Sequence, residues 1–183
     1  ISGIKDVTCN GFCDGSATAV VTGGTGPYTY LWDDLGAQTA STATGLCAST
    51  VIVVVEDSIA CTDTDTVAIT QPAVLSVGIA STTDVSCNGD CDGTATGAVS
   101  GGSGPYTYLW DDTGMQTTIG ATGLCADNYR LIVTDTIGCS DTAIAVVGQP
   151  SGLVVSIVAS NNVTCNAFCD GDATGAAAGG TLP

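Results

Sequence analysis

Asp84-Val-Ser-Cys-Asn-Gly-Asp-Cys-Asp-Gly93, followed by Thr94–Ser100, Gly101-Gly-Ser-Gly-Pro105 and Tyr106-Thr-Tyr-Leu-Trp110, reads as a cysteine loop, a strand, a turn and a second strand. The loop occurs upstream as Asp6-Val-Thr-Cys-Asn-Gly-Phe-Cys-Asp-Gly15 and downstream as Asn162-Val-Thr-Cys-Asn-Ala-Phe-Cys-Asp-Gly171. Cys9, Cys87 and Cys165 are evenly spaced along the chain. The same offset relates Trp32 to Trp110, Pro27 to Pro105, Cys47 to Cys125, Cys61 to Cys139 and Gln71-Pro72 to Gln149-Pro150. A fixed period without insertions is the mark of a tandem array. It divides the chain into repeat 1 (residues 1–72, its first strand expected to be truncated), repeat 2 (73–150) and the opening of repeat 3 (151–183). Both ends are expected to be cuts through a longer array.

Within repeat 2, short alternating runs rich in Val and Thr are separated by Gly, Asn, Asp and Pro, the pattern of strands and turns. Strands are predicted at Val74–Ser81, Thr94–Ser100, Tyr106–Trp110, Met115–Ala121, Asp127–Asp135 and Asp141–Gly148. Turns are predicted at Asp111-Asp-Thr-Gly114 and Ile137-Gly138. Six or seven strands in about 78 residues suit a small two-sheet sandwich of immunoglobulin-like or fibronectin-like type. The fold class is therefore all-β, as tandem sandwich repeats. Alternation puts Trp110 inward with Tyr106 and Tyr108, and Thr107 and Leu109 on the other face. In repeat 1, Val51, Val53 and Val55 point inward, while Ile52 and Val54 form an apolar outer stripe. The linkers Thr70-Gln-Pro-Ala73 and Gly148-Gln-Pro-Ser151 are short, and proline favours an extended passage. Consecutive repeats are expected to be held with limited bending.

Lys5 and Arg130 are the only cations against 18 carboxylates, histidine is absent, and the formal net charge is −16. Such a surface repels phosphate backbones and anionic lipid, which argues against nucleic acid and membrane partners. Ten cysteines fall four, four and two per repeat. Their spacing lacks close Cys-x2-Cys knuckles, so disulfides are expected rather than zinc. Catalysis has little to work with: no histidine, oxidised cysteines, isolated cations and adjacent carboxylates in solvated turns. No enzyme activity is expected. Asp14, Asp33, Asp34, Asp92, Asp111 and Asp112 are the candidate calcium ligands, since clustered turn oxygens suit a hard cation. Without EF-hand or nonapeptide spacing, the expectation is that no cofactor is held.

The segments Cys87–Thr96, Gly101–Trp110, Gly123-Leu-Cys-Ala126 and Ile137-Gly-Cys-Ser-Asp-Thr-Ala143 together resemble the SprB repeat of giant surface adhesins in Bacteroidota, gliding-motility adhesins among them. The resemblance runs the length of the chain in register. It implies export by the type IX secretion system and display as extracellular filaments on the bacterial surface. It also implies a cysteine pairing, because family members commonly keep only the first and last positions of each repeat. On that ground Cys9 is expected to pair with Cys61 and Cys13 with Cys47, and by the offset Cys87 with Cys139 and Cys91 with Cys125. Four cysteines permit three connectivities, and Cys9–Cys13 with Cys47–Cys61 is the local alternative. Cys165 and Cys169 are expected to have their mates outside the chain. The lineage further implies O-glycosylation at Asp-Ser/Thr followed by an apolar residue, which makes Ser58, Thr66, Thr136 and Thr142 the candidate sites.

The leading expectation is a stiff, non-catalytic stalk that projects a binding tip or contacts a substratum directly, in gliding or attachment. Its partners are then neighbouring repeats of the same chain and an unidentified substratum or surface glycan. A structural filament or sheath, packed laterally between homopolymeric chains through stripes such as Ile52 and Val54, is the second reading. A glycan-binding module is the third.

Overall fold

The computed structural model describes residues 1–166 and 169–180, so residues 167–168 and 181–183 of the third repeat lie outside the described residues. Every regular element among them is a strand. Repeat 1 gives β1 (Ser2–Lys5), β2 (Gly15–Thr18), β3 (Thr29–Trp32), β4 (Thr42–Leu46), β5 (Ser49–Glu56) and β6 (Thr62–Ile69). Repeat 2 gives β7 (Ser76–Thr83), β8 (Gly93–Ser100), β9 (Thr107–Trp110), β10 (Gly120–Leu124), β11 (Asp127–Thr134) and β12 (Ser140–Val147). β13 (Val154–Asn161) and β14 (Asp172–Ala178) follow.

Strand order repeats with the sequence. One sheet runs β1-β2-β4 and its counterpart β7-β8-β10; the other runs β3-β5-β6 and its counterpart β9-β11-β12. β13 and β14 form an antiparallel pair. By compactness the chain separates into two units. One comprises Ile1–Ser76, Val99–Thr107 and Thr134–Asp141; the other comprises Val77–Ala98, Tyr108–Val133 and the residues from Thr142 on. The first unit thus includes the β8–β9 connection and the β11–β12 turn, which belong by sequence to repeat 2.

The core of the first unit lies between β1-β2-β4 and β3-β5-β6. Ala17, Ala43 and Leu46 from one sheet meet Trp32, Val51, Val53, Val67 and Ile69 from the other. Ala17 and Ala43 are cross-strand neighbours, and two methyl side chains leave room for a bulky indole in the same cluster. Trp32 is fully buried and donates its Nε1–H to Ala40 O at 2.9 Å. Trp110 is equally buried and donates to Thr118 O at 3.0 Å. Period-2 alternation holds along β5, where Val51 and Val53 are buried, Val55 packs at the core margin and Ile52 is 38 % exposed.

One strand lies elsewhere than its expected position. Met115–Ala121 is a capped loop for most of its length, and β10 begins only at Gly120. The cause is Asp112, whose carboxylate accepts from the Gly114 and Gln116 backbone N–H groups at 3.0 and 2.9 Å and from Gln116 Nε2 at 3.0 Å. Such local side-chain bonds compete with a ladder. Gln116 then closes the loop on Thr122, accepting from its N–H and donating to its carbonyl.

Gly15 and Gly93 open β2 and β8 where sheet and core meet. A Cβ at Gly93 would lie 2.6 Å from Val147 Cγ1 and 2.9 Å from Leu124 O. We expect Gly93→Ala to destabilise by about 1–3 kcal/mol through overpacking, read as a lowered denaturation midpoint. Gly78→Ala, where a Cβ meets nothing within 4 Å, is the matched control and should show no loss.

Candidate functional site: cysteine loops and aspartate-held turns

The cysteine loop is built by short-range polar bonds. Asp14 accepts from Thr8 N–H at 2.9 Å and from Thr8 Oγ1 at 2.8 Å, and Phe12 N–H returns to Cys9 O at 3.0 Å. The loop also receives the end of β6. Val7 N–H bonds Thr70 O at 3.1 Å, Asn10 Nδ2 donates to Pro72 O at 3.0 Å, and Gly11 N–H donates to Gln71 Oε1 at 2.9 Å. Repeat 2 reproduces the arrangement with Asn88 on Pro150 O and Gly89 on Gln149 Oε1. Gln71 and Gln149 are therefore parts of the loop rather than passive linker residues. The sequence signal is the recurrence of Asn10-Gly11 with Gln71-Pro72 as Asn88-Gly89 with Gln149-Pro150. It is legible only once the two segments are known to meet.

The turn between β5 and β6 is organised by a second aspartate. Asp57 accepts from Cys61 N–H (2.9 Å), Ile59 N–H (3.0 Å) and Thr25 N–H (3.1 Å). In the β11–β12 turn, Asp135 accepts from the N–H groups of Ile137, Gly138 and Cys139, and from Ser103 N–H at 2.9 Å. Each turn thus fixes its cysteine and ties it to the Gly-Gly-x-Gly-Pro connection.

Cys13 is bonded to Cys47 and Cys91 to Cys125, with Cα separations of 4.0 and 3.9 Å. Each bond staples ends of neighbouring strands, since Gly15 faces Leu46 and Gly93 faces Leu124 in the ladders. The first and last positions differ from the expected Cys9–Cys61 and Cys87–Cys139 pairs. Cys9 is bonded to Cys139, Cα to Cα 5.7 Å, while Cys61 and Cys87 are exposed free thiols. The reason is distance. Cys61 precedes β6, whereas the Cys9 loop is hydrogen-bonded to Thr70–Pro72 just after it. Eight strand residues separate the two ends by about 25 Å, far beyond the roughly 7 Å past which two Cα atoms cannot be bridged by a disulfide. First and last cysteines occupy opposite poles of one sandwich. The local alternative, Cys9–Cys13 with Cys47–Cys61, is likewise not formed.

The six candidate calcium ligands are engaged by backbone donors. Asp33 accepts from Ile52 N–H and Asp111 from Arg130 N–H, each at 2.7 Å, Asp34 and Asp112 cap their own loops, and Asp14 and Asp92 hold the cysteine loops. Among the described residues no three acidic, cysteine or histidine side chains converge as a metal site.

The bonds on Asp14, Asp57 and Asp135 favour the ionised form. The Cys61 N–H leads in holding Asp57 below the ordinary carboxylate range, and the Thr8 N–H does so for Asp14. For Asp135, burial acts upward and is outweighed by the Ser103, Cys139, Ile137 and Gly138 amides. A carboxyl whose pKa is lowered by folding stabilises fully above its unfolded value of about 3.9, and that contribution is lost as pH falls through the folded value. We therefore expect a melting temperature that is flat from neutrality to about pH 4–5 and drops steeply below about pH 4. A flat profile down to pH 2 would contradict this.

The four candidate glycosylation sites are Ser58, Thr66, Thr136 and Thr142, all exposed. Ser58 Oγ donates to Thr25 O at 2.8 Å and Thr136 Oγ1 to Ser103 O at 2.7 Å, bonds that an O-linked sugar would replace. Thr66 lies on β6 opposite Ile52, and Thr142 lies on β12. A depression of about 290 Å³ beside Cys61 is lined by Ile1, Gly23, Gly24, Tyr28, Val55 and Asp57. Among the described residues no helix is long and apolar enough to cross a membrane.

The SprB repeat family model matches residues 2–37 and 79–115, from β1 and β7 to the aspartate-capped loops, in the register of the repeat. No curated protein matches the chain. Among solved structures, one described as the structural basis for Dscam isoform specificity is 15 % identical over 67 % of this chain and 38 % of its own, with a TM-score of 0.32. A second, the N-terminal eight Ig domains of Down Syndrome Cell Adhesion Molecule isoform 1.30.30, is 16 % identical over 70 % of this chain and 20 % of its own, with a TM-score of 0.35. The chain thus spans well under half the length of either.

Proposed function

From the premise that this chain carries SprB repeats, at residues 2–37 and 79–115, we propose that it is a non-catalytic repeat segment of a large bacterial cell-surface adhesin. The observation that carries the reading is the combination of that match with sandwiches stapled by disulfides at a constant period. Disulfides are a device of secreted chains, which supports an extracellular location. A surface of net charge −16 supports solubility of a protein with 44 % apolar residues. The finer reading is a stalk that keeps a binding tip away from the cell, whether for gliding or attachment, exported by type IX secretion.

The competing reading is a sheath in which chains pack side by side. Ile52, at 38 % exposure, and the half-buried Val54 form a narrow stripe on β5, small beside the area that a stable lateral interface needs. Cryo-electron microscopy of native surface material separates the two. Single filaments with free sides support the stalk, and lateral locking over a large apolar area overturns it.

O-glycosylation belongs to the same proposal. Ser58 and Thr136 are equivalent turn positions within reach of a modifying enzyme. Intact mass of the native protein is expected to exceed the polypeptide mass, with the excess mapping to peptides that hold Ser58, Thr66, Thr136 or Thr142. A bare polypeptide mass would remove it.

A further inference from the structure

Cys61 and Cys139 stand at the same position of successive repeats, as do Cys9 and Cys87. In the structure the last-position cysteine Cys139 is bonded to Cys9, the first-position cysteine one repeat earlier. Cys61 and Cys87 are the remaining members of those two classes in repeats 1 and 2, and both are free and exposed.

Each free cysteine is presented as its bonded counterpart is. Around Cys139, Asp135 N–H bonds Cys139 O at 2.9 Å, Thr136 N–H bonds Ser103 O at 3.1 Å and Gly138 N–H bonds Asp135 O at 3.1 Å. Around Cys61 the matching bonds are Asp57 N–H to Cys61 O, Ser58 N–H to Thr25 O and Ala60 N–H to Asp57 O, each 3.0 Å. The Cys87 loop likewise repeats the Cys9 loop, with Asp90 N–H on Cys87 O at 3.1 Å and Ser86 N–H on Asp92 Oδ1 at 2.9 Å.

The surroundings of Cys61 give a second, independent sign. The depression beside it is walled by Gly23, Gly24 and Asp57. At the equivalent place in repeat 2 the incoming linker fills the space. Gly102 N–H bonds Ala73 O at 3.1 Å, and a Cβ on Gly102 would lie 3.0 Å from Leu75 Cδ1. Gly101 lies so close to Val74 O that a Cβ there would overlap it. The same contact recurs where Gly180 N–H bonds Ser151 O at 2.9 Å. The groove beside Cys61 therefore has the form of a seat for a linker segment like Ala73–Leu75.

We propose that Cys61 is a coupling site for the first-position cysteine of a preceding repeat of the same polypeptide. By the same rule Cys87 couples to the last-position cysteine of the repeat that begins at Ser151. Every junction of the array then carries one disulfide running from first position to last position across the boundary. Successive sandwiches become links closed on one another rather than beads on a single thread. The bond forms by two thiol–disulfide exchanges with a small-molecule disulfide of the extracytoplasmic space. One cysteine thiolate attacks and releases one small thiol; the second thiolate attacks the mixed disulfide and releases the other. The two protein thiols lose two protons and two electrons, and the small disulfide is reduced to two thiols. The inference does not depend on what the array adheres to.

The test is disulfide mapping of the full protein, purified without reductant, alkylated, digested and analysed by mass spectrometry before and after reduction. The expected result is near-complete loss of alkylatable thiol at Cys61 and Cys87, restored by reduction. Cys61 should appear linked to a Val-Thr-Cys or Val-Ser-Cys loop peptide, in material that runs at single-chain mass without reductant. A Cys61→Ser variant should release one new thiol, located in such a loop peptide. Alkylation of Cys61 without reduction, a Cys9–Cys61 peptide, or multimers that collapse on reduction would each overturn the proposal. A stalk reading that failed by microscopy would leave this map unchanged, so the two can fail separately.

Discussion

Trp110→Ala should lower the stability of its sandwich by about 3–5 kcal/mol, and Trp32→Ala should do the same in repeat 1. Both indoles are fully buried, and Ala17 and Ala43, which share the Trp32 cluster, are too small to fill the space that indole leaves. Trp110→Phe separates volume from hydrogen bonding. It keeps a ring but leaves Thr118 O without the 3.0 Å Nε1 donor, at a cost of roughly 1–3 kcal/mol. Urea denaturation followed by far-ultraviolet circular dichroism measures all three variants. An alanine variant that lost less than about 1 kcal/mol would be incompatible with a core organised around this side chain.

The second large effect belongs to the cysteines. Removing Cys13–Cys47 in a Cys13→Ser, Cys47→Ser double variant opens a loop of 34 residues, worth about 4 kcal/mol in the chain-entropy model. Removing Cys9–Cys139, with a separation of 130 residues, should cost about 5 kcal/mol on the same basis. The denaturant slope should rise in both variants, because an uncrosslinked unfolded chain exposes more surface. An unchanged midpoint would mean that the crosslink does not restrict the unfolded ensemble.

Repetition made much of this legible in sequence. An unbroken period, the Trp at a constant place in it and the Val51-Ile-Val-Val-Val55 alternation specify an all-β fold and the face that β5 buries. Local polar chemistry was harder to read. Nothing in Met115–Ala121 announces that the Asp112 carboxylate would take the amides a strand needs, so β10 starts later than its hydrophobicity suggests. The cysteine pairing was least legible. Connectivity depends on which pole of the sandwich each thiol occupies, and the pole is a property of three-dimensional packing. Cys9 and Cys61 lie at opposite ends of β6, a separation that residue spacing along the chain does not encode. Gln71 was hidden for the same reason: its partner, Gly11, is remote in sequence and meets it only in the folded sandwich.

The Cys9–Cys139 bond also alters what a protease can achieve. Turn tips such as Leu35, which is fully exposed, are the preferred places for a protease to nick. A single cut anywhere between Cys9 and Cys139 leaves the two pieces covalently joined through sulfur. Whatever lies beyond the cut stays attached to the rest of the chain, so damage at one tip becomes loss of a piece only when reduction or a second scission releases it.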